Sequence, residues 1–192
     1  NNTSVSRFKP EAAKLLIVIS FSYFNYEHHK NNLLTAISFS SFHHKNSFEN
    51  QAHHIDDAIA QAKILNQEGR VNDETTLKAA VLENIVSGTH VKFESIEMFF
   101  GKDVREIVEV LTNINSHNDM SAEALLKEFS GASDSTKQVQ LAIILTNLKY
   151  TVTQTAEKRK INLSWRDELA KVCEGASADL SHIYKIERSK LN

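Results

Sequence analysis

Residues 73–84 read Asp73-Glu74-Thr75-Thr76-Leu77-Lys78-Ala79-Ala80-Val81-Leu82-Glu83-Asn84. Asp73 is a residue type that caps helix N-termini, and Leu77, Ala80 and Val81 follow at the spacing of one helix face. The same period continues outward in both directions. Upstream, Ile55, Ala58, Ile59, Ala62 and Leu65 form one apolar stripe that Gly69 ends. Downstream, Phe93, Ile96, Phe99 and Phe100 form a short amphipathic segment closed by Gly101, and Val104, Ile107, Val108 and Leu111 form the next helix. Ser121 opens another, without the full capping box. Val139 to Leu148 is apolar nearly all round, which marks a central buried helix. Trp165 to Leu191 reads as two more helices about Gly175, with loops expected at 115–118 and 131–135.

Five glycines and one proline in 192 residues are too few for a turn-rich β architecture. The expected fold is all-α: a compact bundle of eight to ten helices in a single domain.

A hydrophobic content of 41%, a charged content of 24% and a net charge of -2 are ordinary for a soluble globular chain. They supply neither a basic footprint for nucleic acid nor a polybasic patch for a membrane surface. Cys173 is the single cysteine and excludes an intramolecular disulfide. A reducing compartment, hence a cytoplasmic location, is the expectation, with a structural role for this thiol.

The first 45 residues hold a tandem repeat. Leu15-Leu16-Ile17-Val18-Ile19-Ser20-Phe21-Ser22-Tyr23-Phe24 is echoed by Leu33-Leu34-Thr35-Ala36-Ile37-Ser38-Phe39-Ser40-Ser41-Phe42, and each copy is followed by His-His-Lys. Arg7, Lys9 and Lys14 before the first copy give it some likeness to a secretory leader. No small-x-small cleavage site follows, and the run is too short to span a bilayer. It is read as a duplicated, buried first helix. Residues 1–32 are therefore taken as an N-terminal extension and 33–192 as the main domain.

Six of nine histidines lie in pairs, His28-His29, His43-His44 and His53-His54. Adjacent helical residues point about 100° apart, so a pair grips one ion poorly. No His-Glu-x-x-His, cysteine pair, glycine-rich phosphate loop or Gly-x-Ser-x-Gly occurs. Glu157-Lys158-Arg159-Lys160 reads as a solvated turn and Trp165 as a packing residue.

Leu77 to Thr89 resembles the motif L-x-A-A-x-L-H-D-x-V-E-D-T of the RelA/SpoT-homologue family of HD-type hydrolases. Phe93, Ile96, Glu97, Phe100, Gly101, Val104, Val108, Leu111 and Thr112 fit the family pattern that follows, F-x-x-I-E-x-x-F-G-x-x-V-x-x-x-V-x-x-L-T. Leu141 to Lys149 resembles L-A-D-K-L-x-N-L-R. The resemblance spans roughly residues 36–180, and the single-domain length is similar to the metazoan SpoT-homologue branch. It implies an all-helical bundle holding a divalent ion, typically manganese. It also implies removal of the 3′-pyrophosphate from (p)ppGpp, with NADPH 2′-phosphate removal associated with the metazoan branch.

The same resemblance implies what has been lost. The family's first metal histidine falls on His44, the motif histidine on Glu83, the motif aspartate on Asn84 and the distal metal aspartate on Ile143. The acidic pair that handles water and protons falls on Ser87 and Gly88. Asn147 and Lys149 fall on positions expected to contact substrate. The Q-R-R-K and T-P-Y-I-N-H-P segments of the family are not visible between His44 and His54. One imidazole and one carboxylate do not make a four-ligand cage. The resemblance therefore implies a degenerate homologue without hydrolytic activity and without a cofactor, Mn2+ being needed only if activity is retained. Its expected partner is a guanosine or nicotinamide nucleotide, with no nucleic acid, no membrane and the protein partner open. One alternative is an active hydrolase with a rearranged site built on His44, Glu83 and His53 or His54. Another is a purely structural or interaction module.

Overall fold

The computed structural model describes residues 32–45, 47, 52–116, 121–151 and 154–191, and all statements below concern these. Helices α1 (Leu33–Lys45) and α2 (Ala52–Lys63) come first, and a π-helical turn, Ile64–Glu68, continues α2. Then follow α3 (Glu74–Leu82), α4 (Ile85–Gly88), α5 (Phe93–Phe100), α6 (Lys102–Ser116) and α7 (Ala122–Ser130). The long α8 (Asp134–Thr151) and α9 (Ala156–Cys173) precede α10 (Ala178–Ser189). No strand occurs among the described residues, and the fold is a single all-α domain. No described helix is long and apolar enough to cross a membrane. The Leu15–Phe24 copy of the repeat and its histidine pair lie outside the described residues.

Local chemistry sets the helix ends. Asp73 caps α3, its carboxylate accepting from the Thr76 backbone N–H at 2.8 Å. Ser121 caps α7 by accepting from Ala124 N at 3.2 Å. Gly101 has φ +92°, which lets the chain turn sharply between α5 and α6. Two expectations need correction. Glu157-Lys158-Arg159-Lys160 is not a free turn but the first turn of α9, because Thr155 caps that helix through Lys158 N. Ile59 is 44% exposed. The buried face of α2 runs through Ala58, Gln61, Ala62 and Leu65 instead, at i, i+3, i+4 and i+7, with the polar Gln61 inside the stripe.

Two helices organise the core. α3 packs against α1, α2, α6 and α8, so Leu77 through Leu82 are all buried, Lys78 among them with an ion pair to Glu74. α8 packs against α2, α3, α6, α9 and α10, and its run from Val139 to Thr146 is buried on every side, as its all-round apolar pattern requires. On the far side, Arg188 of α10 donates Nε and Nη2 to the Asp167 carboxylate of α9 at 2.9 and 3.1 Å, and Tyr184 donates its hydroxyl to the same group. That fork ties the last two helices together.

The end of the π turn is tight. A Cβ on Gly69 would lie 2.9 Å from the Leu65 carbonyl oxygen and 2.9 Å from Leu180 Cγ. Backbone cannot give way as a side chain can, so Gly69→Ala should lower stability by about 1–3 kcal/mol, read as a lower urea midpoint. An unchanged or higher midpoint, the usual gain of Gly→Ala on helical backbone, would show that α10 does not press on this turn.

Candidate functional site

The site forms where α3 stops. Glu83 still has helical backbone, but Asn84 lies at φ -101°, ψ 2°, and α4 restarts at Ile85. This bridge conformation is sparsely populated and recurs at functional positions. It separates two adjacent polar side chains. Asn84 turns towards α1, where its Oδ1 lies 2.9 Å from Nε2 of the buried His44. Glu83 turns towards α2, where its Oε1 accepts from Gln61 Nε2 at 3.2 Å. α8 closes the third side with Ile143, buried in the same apolar cluster as Leu82. Asn147, half-buried, follows four residues along α8, and Tyr150 donates its hydroxyl to Asp57 Oδ1 of α2 at 2.8 Å.

The structure thus brings His44, Glu83, Asn84, Ile143 and Asn147, all singled out in the sequence, to the elements that meet at the end of α3. Ser87 and Gly88 follow on α4. Ser87 is exposed and its Oγ donates to the Asn84 carbonyl at 3.1 Å, while Gly88 N–H donates to the same carbonyl at 2.8 Å. Neither offers a carboxylate. The side chains of His53, His54 and Lys149 lie outside the described residues. His43 points elsewhere, its ring 4.4 Å from that of Phe39 and 5.2 Å from that of Phe42. Cys173 is buried, and burial pushes its thiol up to about 12, so it is no nucleophile.

Gln61, Asp57 and Tyr150 were not anticipated as members of the site. Gln61 carried a signal: it is the polar residue within the buried stripe of α2. Its Oε1 has no hydrogen-bond partner among the described residues, a cost of about 1–3 kcal/mol that an apolar residue would not incur. Asp57 and Tyr150 come from helices 93 residues apart in the chain and carried no local signal.

Do these residues fit the divalent ion that the resemblance implies? A cation cage needs deprotonated carboxylates and imidazole lone pairs. His44 Nε2 lies 2.9 Å from Asn84 Oδ1, so an amide engages this ring nitrogen. Burial pushes the Glu83 carboxyl up to about 7, against the opposing Gln61 hydrogen bond and with the help of the nearby Asp57 charge. Asn84 offers only a neutral amide, and Ile143 offers nothing. Among the described residues no three His, Cys, Asp or Glu side chains come together as a cation cage. Of these four positions only His44 and Glu83 could ligate a divalent ion, and two ligands alone do not make a cage.

The Glu83 shift has a consequence for stability. Its folded value, about 7, lies above the ordinary 4.5. Between those values the unfolded chain has released the proton and the folded chain still holds it, so stability falls as pH rises through this window. The full linkage is about 3 kcal/mol, and partial exposure of the side chain discounts it to about 2 kcal/mol. Glu83→Gln removes the titration. Urea midpoints of the variant should therefore vary less between pH 5 and 8 than those of the parent, and should exceed them at pH 8. Parallel curves for the two proteins would show that the Glu83 carboxyl is already ionised in the fold.

Comparison with known proteins follows the same outline. The family model for the HD domain matches residues 36–167. Guanosine-3′,5′-bis(diphosphate) 3′-pyrophosphohydrolase MESH1 of Xenopus tropicalis is 31% identical over 157 residues, covering 77% of this chain and 88% of that protein. MESH1 of Homo sapiens is 27% identical over 138 residues, covering 69% of this chain and 77% of that protein. A solved structure described as "A metazoan ortholog of SpoT hydrolyzes ppGpp and plays a role in starvation responses" superposes with a TM-score of 0.73. It is 22% identical and covers 83% of this chain and 95% of that one. With its HD-domain match, its all-helical architecture and its similarity to these relatives along most of their length, the chain belongs to the HD-domain family of the MESH1 pyrophosphohydrolases.

Proposed function

We propose that this chain is a non-hydrolysing member of its family, a bundle that binds a guanosine or nicotinamide nucleotide in the cytoplasm without turning it over. The observation that carries the reading is the His44–Asn84 hydrogen bond, which engages an imidazole with a neutral amide. Where metal-dependent hydrolysis needs anionic ligands around an ion that activates water, this chain has an imidazole–amide pair, a single carboxyl and a branched alkyl group. Ser87 and Gly88 supply no base to take a proton from water. Asn147 and Lys149 are the residues we assign to nucleotide contact. The relatives named above are called hydrolases of guanosine-3′,5′-bis(diphosphate), which supports a guanosine nucleotide as the ligand class.

A second reading is an active hydrolase that uses His44, Glu83 and His53, with manganese. One observation favours it: His53 precedes Asp57 by four residues in α2, and Asp57 and Gln61 of that helix face the α3–α8 side.

Incubation of the purified chain with Mn2+ and either ppGpp or NADPH separates the two. The expected result is no release of pyrophosphate or phosphate above a metal-free control, together with nucleotide binding by calorimetry. Manganese-dependent turnover abolished by His44→Ala, Glu83→Ala or His53→Ala would establish the second reading. The triple variant Glu83→His/Asn84→Asp/Ile143→Asp should gain manganese binding that the parent lacks. Failure of that well-folded variant to bind manganese would count against the residue assignments made here.

A further inference from the structure

The seam between α2 and α8 holds two buried polar atoms that the fold leaves unanswered. Gln61 is 3% exposed and gives its Nε2 to Glu83, but its Oε1 has no hydrogen-bond partner among the described residues. Thr146 of α8 is 2% exposed, and its Oγ1 is orphaned in the same way. The two helices run antiparallel here. Asp57 of α2 meets Tyr150 of α8, and Ile64, where the π turn continues α2, shares a cavity wall with Leu145. One turn inward from the Asp57–Tyr150 bond lie Gln61 on one helix and Thr146 on the other, so both orphaned atoms belong to one level of the seam. On α8, Ile143, Thr146, Asn147 and Tyr150 stand at i, i+3, i+4 and i+7, one face that includes the residue assigned to nucleotide contact. Leucine and valine would fill these two places without an unmet hydrogen bond, so packing alone does not account for the polar pair.

We propose that this level of the α2–α8 seam is a subsite for an edge of adjacent N–H donors, the N1–H and 2-amino group of guanine, with Tyr150 as its gate. The proposal rests on the nucleotide-binding reading above and names the part of the ligand that enters. The polar groups gathered here are mostly acceptors: Gln61 Oε1, Thr146 Oγ1 and the carboxyl groups of Asp57 and Glu83. Carboxyl groups repel phosphate, so the diphosphates stay outside and the base is the end that fits. Guanine presents two neighbouring donors on a rigid plane, one for each orphaned atom. The nicotinamide carboxamide presents one donor group beside an acceptor, a poorer match. The way in lies past Tyr150, which is 41% exposed and gives its hydroxyl to Asp57 at 2.8 Å. An exposed side chain changes rotamer within nanoseconds, and an outward turn of this ring uncovers the level one turn below it.

The test is calorimetry on the full chain with ppGpp and with its analogue in which inosine replaces guanosine and the 2-amino group is missing. The parent should bind ppGpp about tenfold more tightly than the analogue, the worth of one hydrogen bond to a waiting acceptor. Gln61→Leu should bind the two equally, and Thr146→Val should shrink the ratio. Circular dichroism checks the fold of each variant, and either one decides the matter if the other fails to fold. Tyr150→Ala should associate with ppGpp faster than the parent does, read by surface plasmon resonance. A ratio near one in the parent, or an undiminished ratio in the folded variants, would overturn the subsite while leaving the nucleotide reading in place. An unchanged association rate in Tyr150→Ala would overturn the gate. No binding of ppGpp by the parent would overturn the nucleotide reading and the subsite with it.

Discussion

The structure depends on the burial of one helix end. α3 has helices on four sides, and its last turn delivers Glu83 and Asn84 into that packing with little water to solvate them. A polar group taken out of water must find a partner or cost about 1–3 kcal/mol. The backbone break at Asn84 answers this by splitting the two side chains, one to His44 and one to Gln61. Everything near the site follows from that split. α1 is anchored from the outside by the buried His44, and α2 is held from the side by Gln61. α8 packs against α3 with Ile143 buried in the common core, where it strands no charge.

Chemistry and packing are coupled here. A metal centre is a set of buried charges that neutralise one another, and removal of one member leaves the others uncompensated. In the proposed reading Ile143 takes the place of an anionic ligand, and a doubly charged ion there would face one carboxyl and neutral dipoles. Asparagine at 84 is then a consistent companion, since an amide needs only a hydrogen bond, and His44 provides it at 2.9 Å. Glu83 is the one acidic side chain among these positions, and burial pushes its carboxyl up to about 7. In the proposed non-hydrolysing reading the three positions form one substituted unit.

The fold was legible because burial imposes a period on the sequence. Val104, Ile107, Val108 and Leu111 repeat at helical spacing, and all four are buried. Asp73 and Ser121 marked true helix starts because caps act within three residues of themselves. The start of α9 was missed because its first turn is almost wholly polar and solvent-facing, so no apolar period announces it. Of the site, His44, Glu83 and Asn84 were singled out through the resemblance, and the structure adds their hydrogen-bond partners. The Tyr150–Asp57 bond was not, because it joins helices 93 residues apart, a separation at which neither cap nor period leaves a trace. Similarity to the MESH1 relatives supports the fold and is silent on whether the few polar positions still do chemistry.

The repeat shows how narrow that packing tolerance is. Aligned copy on copy, Leu15, Ile19, Phe21 and Ser22 reproduce Leu33, Ile37, Phe39 and Ser40, so the first copy could almost take the place of α1. Two positions argue against it. Val18 would stand where Ala36 is fully buried, and two added methyl groups in a filled core cost about 1–3 kcal/mol. Tyr26 would stand where His44 meets Asn84, replacing a buried imidazole with a larger ring whose hydroxyl lies beyond the reach of that contact. The first copy keeps the repeat and loses its inner fit.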